Sequence, residues 1–368
     1  MVKEYSCEKC GKTFNQKGHY NKHLQRKKPC DNIKDKFEKI IEKKVDVLIK
    51  EKIQDLVKKG DIEIKNKNFI SNNPNINTEM EYINKKIPRP QYMGNKIKYI
   101  NDIISIIPED VSCILDAFSG CGIVSYELKK KYKIYTNDLL KCNHVIGKSL
   151  IENNNIVKIT DSDIDKLFID NPNKKSFITD NYTNLYYTKV ECLFLDNLYS
   201  NIKSFNDEFK ESILFTSICR TLIKKILFAY FTHTKAIYYR ETEKHWKRNP
   251  AINRDMKQMF IDYIHEYNNC IFDNKKHNKS FNMDIFDLLK KSEISDVDLI
   301  YMDPPYGGTH NSYNSFYHFL ETYINYWDNT KLYNKTKMPK DKLKKEVFVT
   351  KNINEIFDKL FDSAKQHT

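Results

Sequence analysis

The 368-residue chain has no apolar run near the roughly 20 residues that a membrane-spanning helix needs, and no signal peptide. A soluble, intracellular, cytoplasmic protein without a membrane partner is expected, or a nuclear one in a eukaryotic or viral setting. Also lacking is a pairing pattern among the nine cysteines. Six of them (Cys113, Cys121, Cys142, Cys192, Cys219 and Cys270) are scattered, which suits a reducing compartment and argues against a disulfide framework. No internal repeat is present, which excludes repeat architectures. Acid is the scarcer charge, 49 Asp and Glu against 62 Lys and Arg, and the pI near 9.0 suits a phosphate backbone as partner. Lys, Asn and Ile are plentiful throughout, as in an AT-rich coding sequence, so charge supports nucleic acid only mildly. The length suits two or three domains.

The most informative stretch present is Leu299-Ile300-Tyr301-Met302-Asp303-Pro304-Pro305-Tyr306. Its short apolar run reads as a buried parallel strand, and the two prolines stop that strand. A carboxylate, a proline carbonyl and an aromatic face then sit in a rigid turn at the strand's carboxyl end, where open α/β sheets bind ligands. Such a group suits a planar base with an exocyclic amino group: Asp303 and the Pro304 carbonyl accept the amino hydrogens, and Tyr306 stacks on the ring. Upstream, Ile114-Leu115-Asp116-Ala117-Phe118-Ser119-Gly120-Cys121-Gly122 reads as a strand, a glycine turn and a helix from about Ile123. No third glycine completes the longer dinucleotide fingerprint. Lys133 to Asp138 reads as a second strand ending in an acid able to bind both ribose hydroxyls of a nucleoside. Tyr92, Gly94 and Lys96, in Pro90-Gln91-Tyr92-Met93-Gly94-Asn95-Lys96, offer an aromatic, a turn and a cation to a zwitterionic amino acid. Lys96 also reads as a solvated surface charge. Asp284 reads equally as a third-strand acid for an adenine and as a helix cap.

In their order along the chain, Tyr92-Met93-Gly94-Asn95-Lys96, Asp116-Ala117-Phe118-Ser119-Gly120-Cys121-Gly122, Asn137-Asp138-Leu139-Leu140 and Asp303-Pro304-Pro305-Tyr306 resemble the amino-group adenine DNA methyltransferases, in the Dam-like class. There the cofactor motifs precede a target-recognition insert and the catalytic motif follows it. Tyr313 to Thr322 also resembles the segment after the family's catalytic motif, and the resemblance covers roughly Ile87 to Asp328. It implies a Rossmann-like α/β core with S-adenosylmethionine as cofactor. Catalysis would fall to Asp303, Pro304 and Tyr306. Cofactor binding would fall to Tyr92, Lys96, Asp116, Phe118, Gly120, Gly122, Asp138, Asp284 and Asp303. The family normally adds further strands beyond the point where this chain stops, and only 62 residues follow Tyr306. Truncation of the last motifs is therefore expected, which puts independent activity in doubt.

The second informative feature is Cys7-x2-Cys10-x12-His23, the spacing of a small ββα zinc finger, with Phe14 and Tyr20 at its core positions. So small a unit cannot fold on its core alone, so a tetrahedral Zn2+ would have to supply the missing stability. The usual second histidine is absent, and Cys30 is its natural substitute. The expected ligands are Cys7, Cys10, His23 and Cys30. His19 is the other candidate, but with Gln16 and Lys22 it occupies a base-contacting position. Contact with DNA and contact with protein both remain open for this finger.

Asn32 to Lys59 carries apolar residues at helical spacing and reads as an amphipathic helix ended by Gly60. Asn66 to Thr78 reads as a polar linker. Between Asp138 and Asp303 lie 164 residues, more than the remaining βα units require. The surplus, about 155–280, is helical in pattern and is the target-recognition candidate, with Ile213 to Phe231 as its core helix. Its basic stretch from Tyr239 to Arg254 suits phosphate contacts. Phe348 to Thr350 and an amphipathic helix near Ile353 to Ala364 close the chain.

The domains expected are a zinc finger at 1–30, helix and linker at 31–86, and a methyltransferase at 87–368. The expected reaction is site-specific transfer of methyl to the exocyclic amino nitrogen of adenine in double-stranded DNA, with a companion restriction endonuclease as a further partner. A carbon-directed cytosine enzyme needs a Pro-Cys nucleophile at a strand end, and Pro29-Cys30 lies inside the finger. Amino-cytosine methylation, RNA adenine methylation and a DNA-binding protein with an inactive core remain as alternatives. Recognition sequence and oligomeric state are not encoded legibly.

Overall fold

The computed structural model describes residues 5–7, 13–14, 16–25, 62–65, 68–71, 82, 84–89, 91–154, 156–243, 247, 249–305, 312–343, 347–348 and 352–365. The chain divides into two compact units, Met1–Glu81 and Tyr82–Thr368.

In the first unit, β1 (Tyr5–Ser6) pairs antiparallel with β2 (Thr13–Phe14), and α1 (Lys17–Leu24) follows. The core is a ring cluster: Tyr20 lies 5.9 Å from Tyr5 and 6.1 Å from Phe14, and His23 lies 5.0 Å from Phe14. Cys7 and His23 are buried. The expected ββα order is therefore present, while Cys10, Cys30 and the helix read over Asn32 to Lys59 lie outside the described residues. Further on, β3 (Ile62–Lys65) and β4 (Asn68–Ser71) form an antiparallel hairpin closed at Lys65 opposite Asn68. Asn68–Ser71, within the stretch read as a polar linker, is thus strand, and the rest of that stretch lies outside the described residues. Ile62 and Ile64 alternate with polar residues, a period-two signal, whereas Phe69 and Ile70 are adjacent and give none.

The second unit runs α2 (Ile100–Ser105), β5 (Cys113–Asp116), α3 (Ile123–Lys129), β6 (Lys133–Asn137) and α4 (Lys141–Gly147), which ends in a π turn at Lys148–Glu152. Among the described residues six α-helices of the insert follow: α5 (Asp161–Leu167), α6 (Phe177–Tyr182), α7 (Lys189–Lys203), α8 (Glu208–Lys224), α9 (Ala236–Glu241) and α10 (Met256–Cys270). The core resumes with β7 (Lys279–Phe281), α11 (Ile285–Leu288), β8 (Leu299–Tyr301), α12 (Tyr313–Asn325) and α13 (Ile353–Ala364).

The sheet order is β7-β6-β5-β8, with every neighbouring pair parallel. All four carboxyl ends therefore open on one side, and the order reverses between β5 and β8, the switch point at which such sheets bind ligands. Alternation along β5 sorts the core into two faces. Ile114 packs with Ile134, α3, α4 and the insert helices, whereas Cys113 and Leu115 pack with Tyr135, Phe281, α11 and Leu360 of α13. β8 was expected to be buried but is half-buried, because among the described residues it pairs on one edge only.

The insert is helical, as its pattern suggested, but its most apolar helix stops at Lys224 instead of reaching Phe231. Lys225 turns inward and donates to the carbonyls of Ile252 (3.1 Å) and Arg254 (2.5 Å), and Ala229 adopts a left-handed backbone at φ 59°. Buried Lys225 also pairs with Glu191 at 3.0 Å, and Glu191 takes both guanidinium nitrogens of Arg240, at 2.5 and 2.8 Å. Arg254 pairs with Asp262 and Lys247 with Glu243. Within the basic stretch read as a phosphate contact, Arg240 is thus held inside by Glu191, whereas Lys247 and Arg254 make exposed ion pairs, and Lys244 and Arg248 lie outside the described residues.

Candidate active site

Three loops meet over the switch point. The first is the glycine turn after β5. Gly120 and Gly122 have φ of 50° and 71°, left-handed values that side chains disfavour. At Gly120 a β-carbon would also stand 3.3 Å from the Tyr92 ring, so the turn needs glycine for space as well as for backbone. Gly122 then starts α3, and the Ser125 hydroxyl in its first turn donates to Asp116 Oδ2 at 2.5 Å. The other oxygen of Asp116, Oδ1, is buried with no hydrogen-bond partner among the described residues. Burial pushes this carboxyl up to about 7, against the hydrogen bond from Ser125.

The second loop leaves β6. Asp138 is half-buried, its Oδ2 accepts from the Gly120 amide (2.8 Å) and its Oδ1 from the Leu140 amide (2.9 Å). Burial raises its pKa in spite of those amides. The strand-end acid therefore also holds the glycine turn. Asn137, beside it, bridges the Ala117 and Met283 carbonyls.

The third loop is Asp303-Pro304-Pro305 after β8. Asp303 forms an ion pair with Lys96, whose ammonium also donates to the Gly94 carbonyl at 3.0 Å. The Tyr92–Lys96 turn is pinned to α12: Tyr92 stacks on Tyr317 at 4.7 Å and 7°, and the Met93 amide donates to the Tyr317 hydroxyl at 3.1 Å. Tyr92's own hydroxyl accepts from Asn143 at 2.8 Å.

These loops line one open cleft, which Tyr92, Lys96, Asp116, Phe118, Gly120, Asp138, Asp284, Asp303 and Pro304 all border. Gly122 lies just behind, as the cap of α3. Asp284 does both things read for it: its carboxylate caps α11 by accepting from the Phe286 amide at 2.9 Å, and it borders the cleft. Tyr306 lies outside the described residues. Val347 and Phe348 complete the lining, and Phe348 stands edge-on to Phe118 at 5.1 Å. Nothing in a short C-terminal Phe-Val marked it as a pocket wall, because its role depends on Phe118 being opposite.

The cleft fits S-adenosylmethionine. Asp116 Oδ1 is a buried acceptor awaiting a donor, as an amino acid's ammonium would be. The Asp138 carboxylate and the apolar side chains of Phe118, Met283, Ile285 and Phe348 border the same cleft. Among the described residues no three His, Cys, Asp or Glu side chains gather to hold a metal, and no helix is long and apolar enough to cross a membrane.

Comparison with known proteins agrees with this geometry. The family profile described as D12 class N6 adenine-specific DNA methyltransferase matches residues 92–368. Type II methyltransferase M2.HphI of Haemophilus parahaemolyticus is 35% identical over 248 residues, 66% of this chain and 72% of that protein. Type II methyltransferase M.FokI of Planomicrobium okeanokoites is 28% identical over 298 residues, covering 74% of this chain but 43% of that protein. Modification methylase StsI of Streptococcus sanguinis is 25% identical over 249 residues, 63% and 35% of the two chains. The family settles the choice of base and nucleic acid that the motifs left open. The chain belongs to the D12 class N6 adenine-specific DNA methyltransferase family, whose reaction is site-specific methylation of adenine in DNA.

Proposed function

We propose that the cleft at the switch point carries out this reaction, with Asp303 and Pro304 as its catalytic centre. The observation that supports this most is the placement of Asp303 beside the glycine turn, within the same cleft as the unpartnered oxygen of Asp116. When bound, S-adenosylmethionine supplies the electrophilic methyl group. Asp116 and the Tyr92–Lys96 turn bind its amino acid portion, and Asp138 its ribose. Asp284, together with Phe118, serves its purine. The target adenine has to leave the duplex to reach so recessed a turn. Its amino lone pair is conjugated into the ring, so the task of Asp303 and the Pro304 carbonyl is to hold the amino hydrogens and favour an sp3 nitrogen. Tyr306 stacks on the base. The ion pair of Asp303 with Lys96 holds the carboxylate at the rim of the cleft. Single-molecule sequencing of host DNA after expression tests the reading: N6-methyladenine at one sequence context is expected, and none with Asp303→Ala.

We further propose Zn2+ in the amino-terminal unit, held by Cys7, Cys10, His23 and Cys30. Supporting this are the ββα order and the burial of Cys7 and His23 in a core of four rings, too small to be stable alone. Metal analysis should find one zinc per chain, lost in Cys30→Ala and kept in His19→Ala. The reverse pattern would overturn the ligand set. The Type II names of the relatives support a companion restriction endonuclease and action inside the cell, where both enzymes meet DNA.

A further inference from the structure

A row of aromatic rings leads out of the cleft along the insert, and the catalytic reading leaves it unused. It begins at Tyr313, which borders the cleft and stands 5.8 Å from Tyr92. Phe316, one turn on in α12, lies 6.3 Å from Tyr313 and 5.2 Å from Tyr230. Tyr230 lies 6.0 Å from Phe228 and 5.3 Å from His233, and the last two are 4.7 Å apart. Phe228 meets the edge of Tyr239 at 5.7 Å, and Tyr239 in turn adjoins Tyr238. The inner rings are half-buried, whereas Phe228 is 41% and Tyr238 60% exposed.

The loop carrying the outer rings is held rigidly. Phe231 is fully buried; its amide donates to the Phe316 carbonyl at 2.8 Å, and its own carbonyl accepts from the Tyr186 hydroxyl at 2.7 Å. His318 meets the same carbonyl at 3.0 Å. The peg fixes this loop to the helix that follows the catalytic turn. Between Phe228 and the peg, Ala229 is held at φ 59°, a conformation a non-glycine residue keeps only when its surroundings impose it. An exposed phenylalanine on an imposed backbone, continuous with rings that reach a cleft acting on DNA, differs from a solitary apolar side chain on a surface.

We infer that this row is a stacking platform for nucleobases of the substrate DNA next to the extruded adenine, with Phe228 and Tyr230 as its contact rings. The row is flat and mostly apolar, with the Tyr230 hydroxyl and the His233 imidazole engaged with each other at 3.2 Å, which matches the face of a base better than a phosphate, and every base has such a face. The inference rests on the proposed site, because it takes the target adenine to enter the cleft from the Tyr313 side.

The test uses the full-length protein and a duplex carrying the methylated sequence found in host DNA, with 2-aminopurine at the target position. Phe228→Leu and Tyr230→Leu keep bulk but remove the rings, and Phe228→Trp keeps a ring. Each leucine variant should weaken duplex binding by about tenfold and cut the fluorescence rise of the extruded base, as loss of one base–aromatic stack would. Phe228→Trp should restore both, and cofactor affinity and thermal midpoint should stay at wild-type values throughout. Duplex affinity and fluorescence within twofold of wild type in both leucine variants would overturn the platform. So would a loss accompanied by weaker cofactor binding and a lower midpoint, which marks a structural role. A wild-type protein giving no fluorescence rise while still methylating would overturn extrusion into the site itself, a separate failure.

Discussion

Replacing Asp303 by Asn probes the catalytic turn with the least disturbance of shape. The carboxylate is about one-fifth exposed and paired with Lys96, which is similarly covered. Asparagine keeps one oxygen for the substrate and presents an NH2 group where the second oxygen stood. Lys96 keeps its hydrogen bond to the Gly94 carbonyl, so the Tyr92–Lys96 turn should hold. The lost charge acts where positive charge develops on the attacking nitrogen as its lone pair bonds the methyl carbon. By analogy with removing one preorganised group at a reaction centre, about 3–4 kcal/mol of transition-state stabilisation should go, roughly 10²–10³-fold in the methyl-transfer step. Single-turnover transfer of tritiated methyl to duplex DNA reads that step, and calorimetric titration of the cofactor reads binding, which should change by less than about fivefold. A transfer rate within threefold of wild type would refute the assigned role. An equal loss in cofactor affinity would instead make Asp303 a cofactor ligand.

Asp116 should impose a pH dependence. With its carboxyl at about 7 in the folded protein against an ordinary 3.8, the folded state binds the extra proton, so stability falls as pH rises between about 4 and 7 and levels off above. The effect is of the order of 4 kcal/mol at most, and urea midpoints without cofactor should show it flattened in Asp116→Asn; an unchanged slope would refute it. Cofactor affinity should rise through the same pH 7, because the ionised carboxylate accepts the ammonium. Glu191 behaves oppositely: against its burial, Arg240 and Lys225 pull it to about 2, so its contribution is complete above its ordinary 4.5 and is lost as pH falls toward 2. Glu191→Ala strands Lys225 in the core and should cost about 3–5 kcal/mol by denaturant titration. At Gly147 a β-carbon would fall 2.5 Å from Ser280 Oγ and 2.6 Å from Thr136 Oγ1, so Gly147→Ala should destabilise by about 1–3 kcal/mol; an unchanged midpoint would mean that α4 yields freely.

What could be read without coordinates was whatever is written locally. Apolar runs ended by Asp116, Asp138 and Asp303 announce strands and the end at which they open, while the sheet order came from the structure. Prolines and glycines hold their turns through their own backbones, whatever surrounds them. The ββα order was legible for the same reason, from residues within one short stretch. Strand Asn68–Ser71 was missed because its two apolar residues are set among polar ones and do not alternate. The end of the core helix at Lys224 was invisible because Leu, Ile and Phe continue beyond it; the buried carbonyls that turn Lys225 inward belong to distant residues. Only the tertiary structure pairs Lys96 with Asp303, spends Arg240 on Glu191, brings Phe348 to Phe118 and lines up Tyr313, Phe316, Tyr230 and Phe228. A side chain's chemistry is its own, but its partner is chosen by packing between segments far apart in the chain, and no local pattern records that choice.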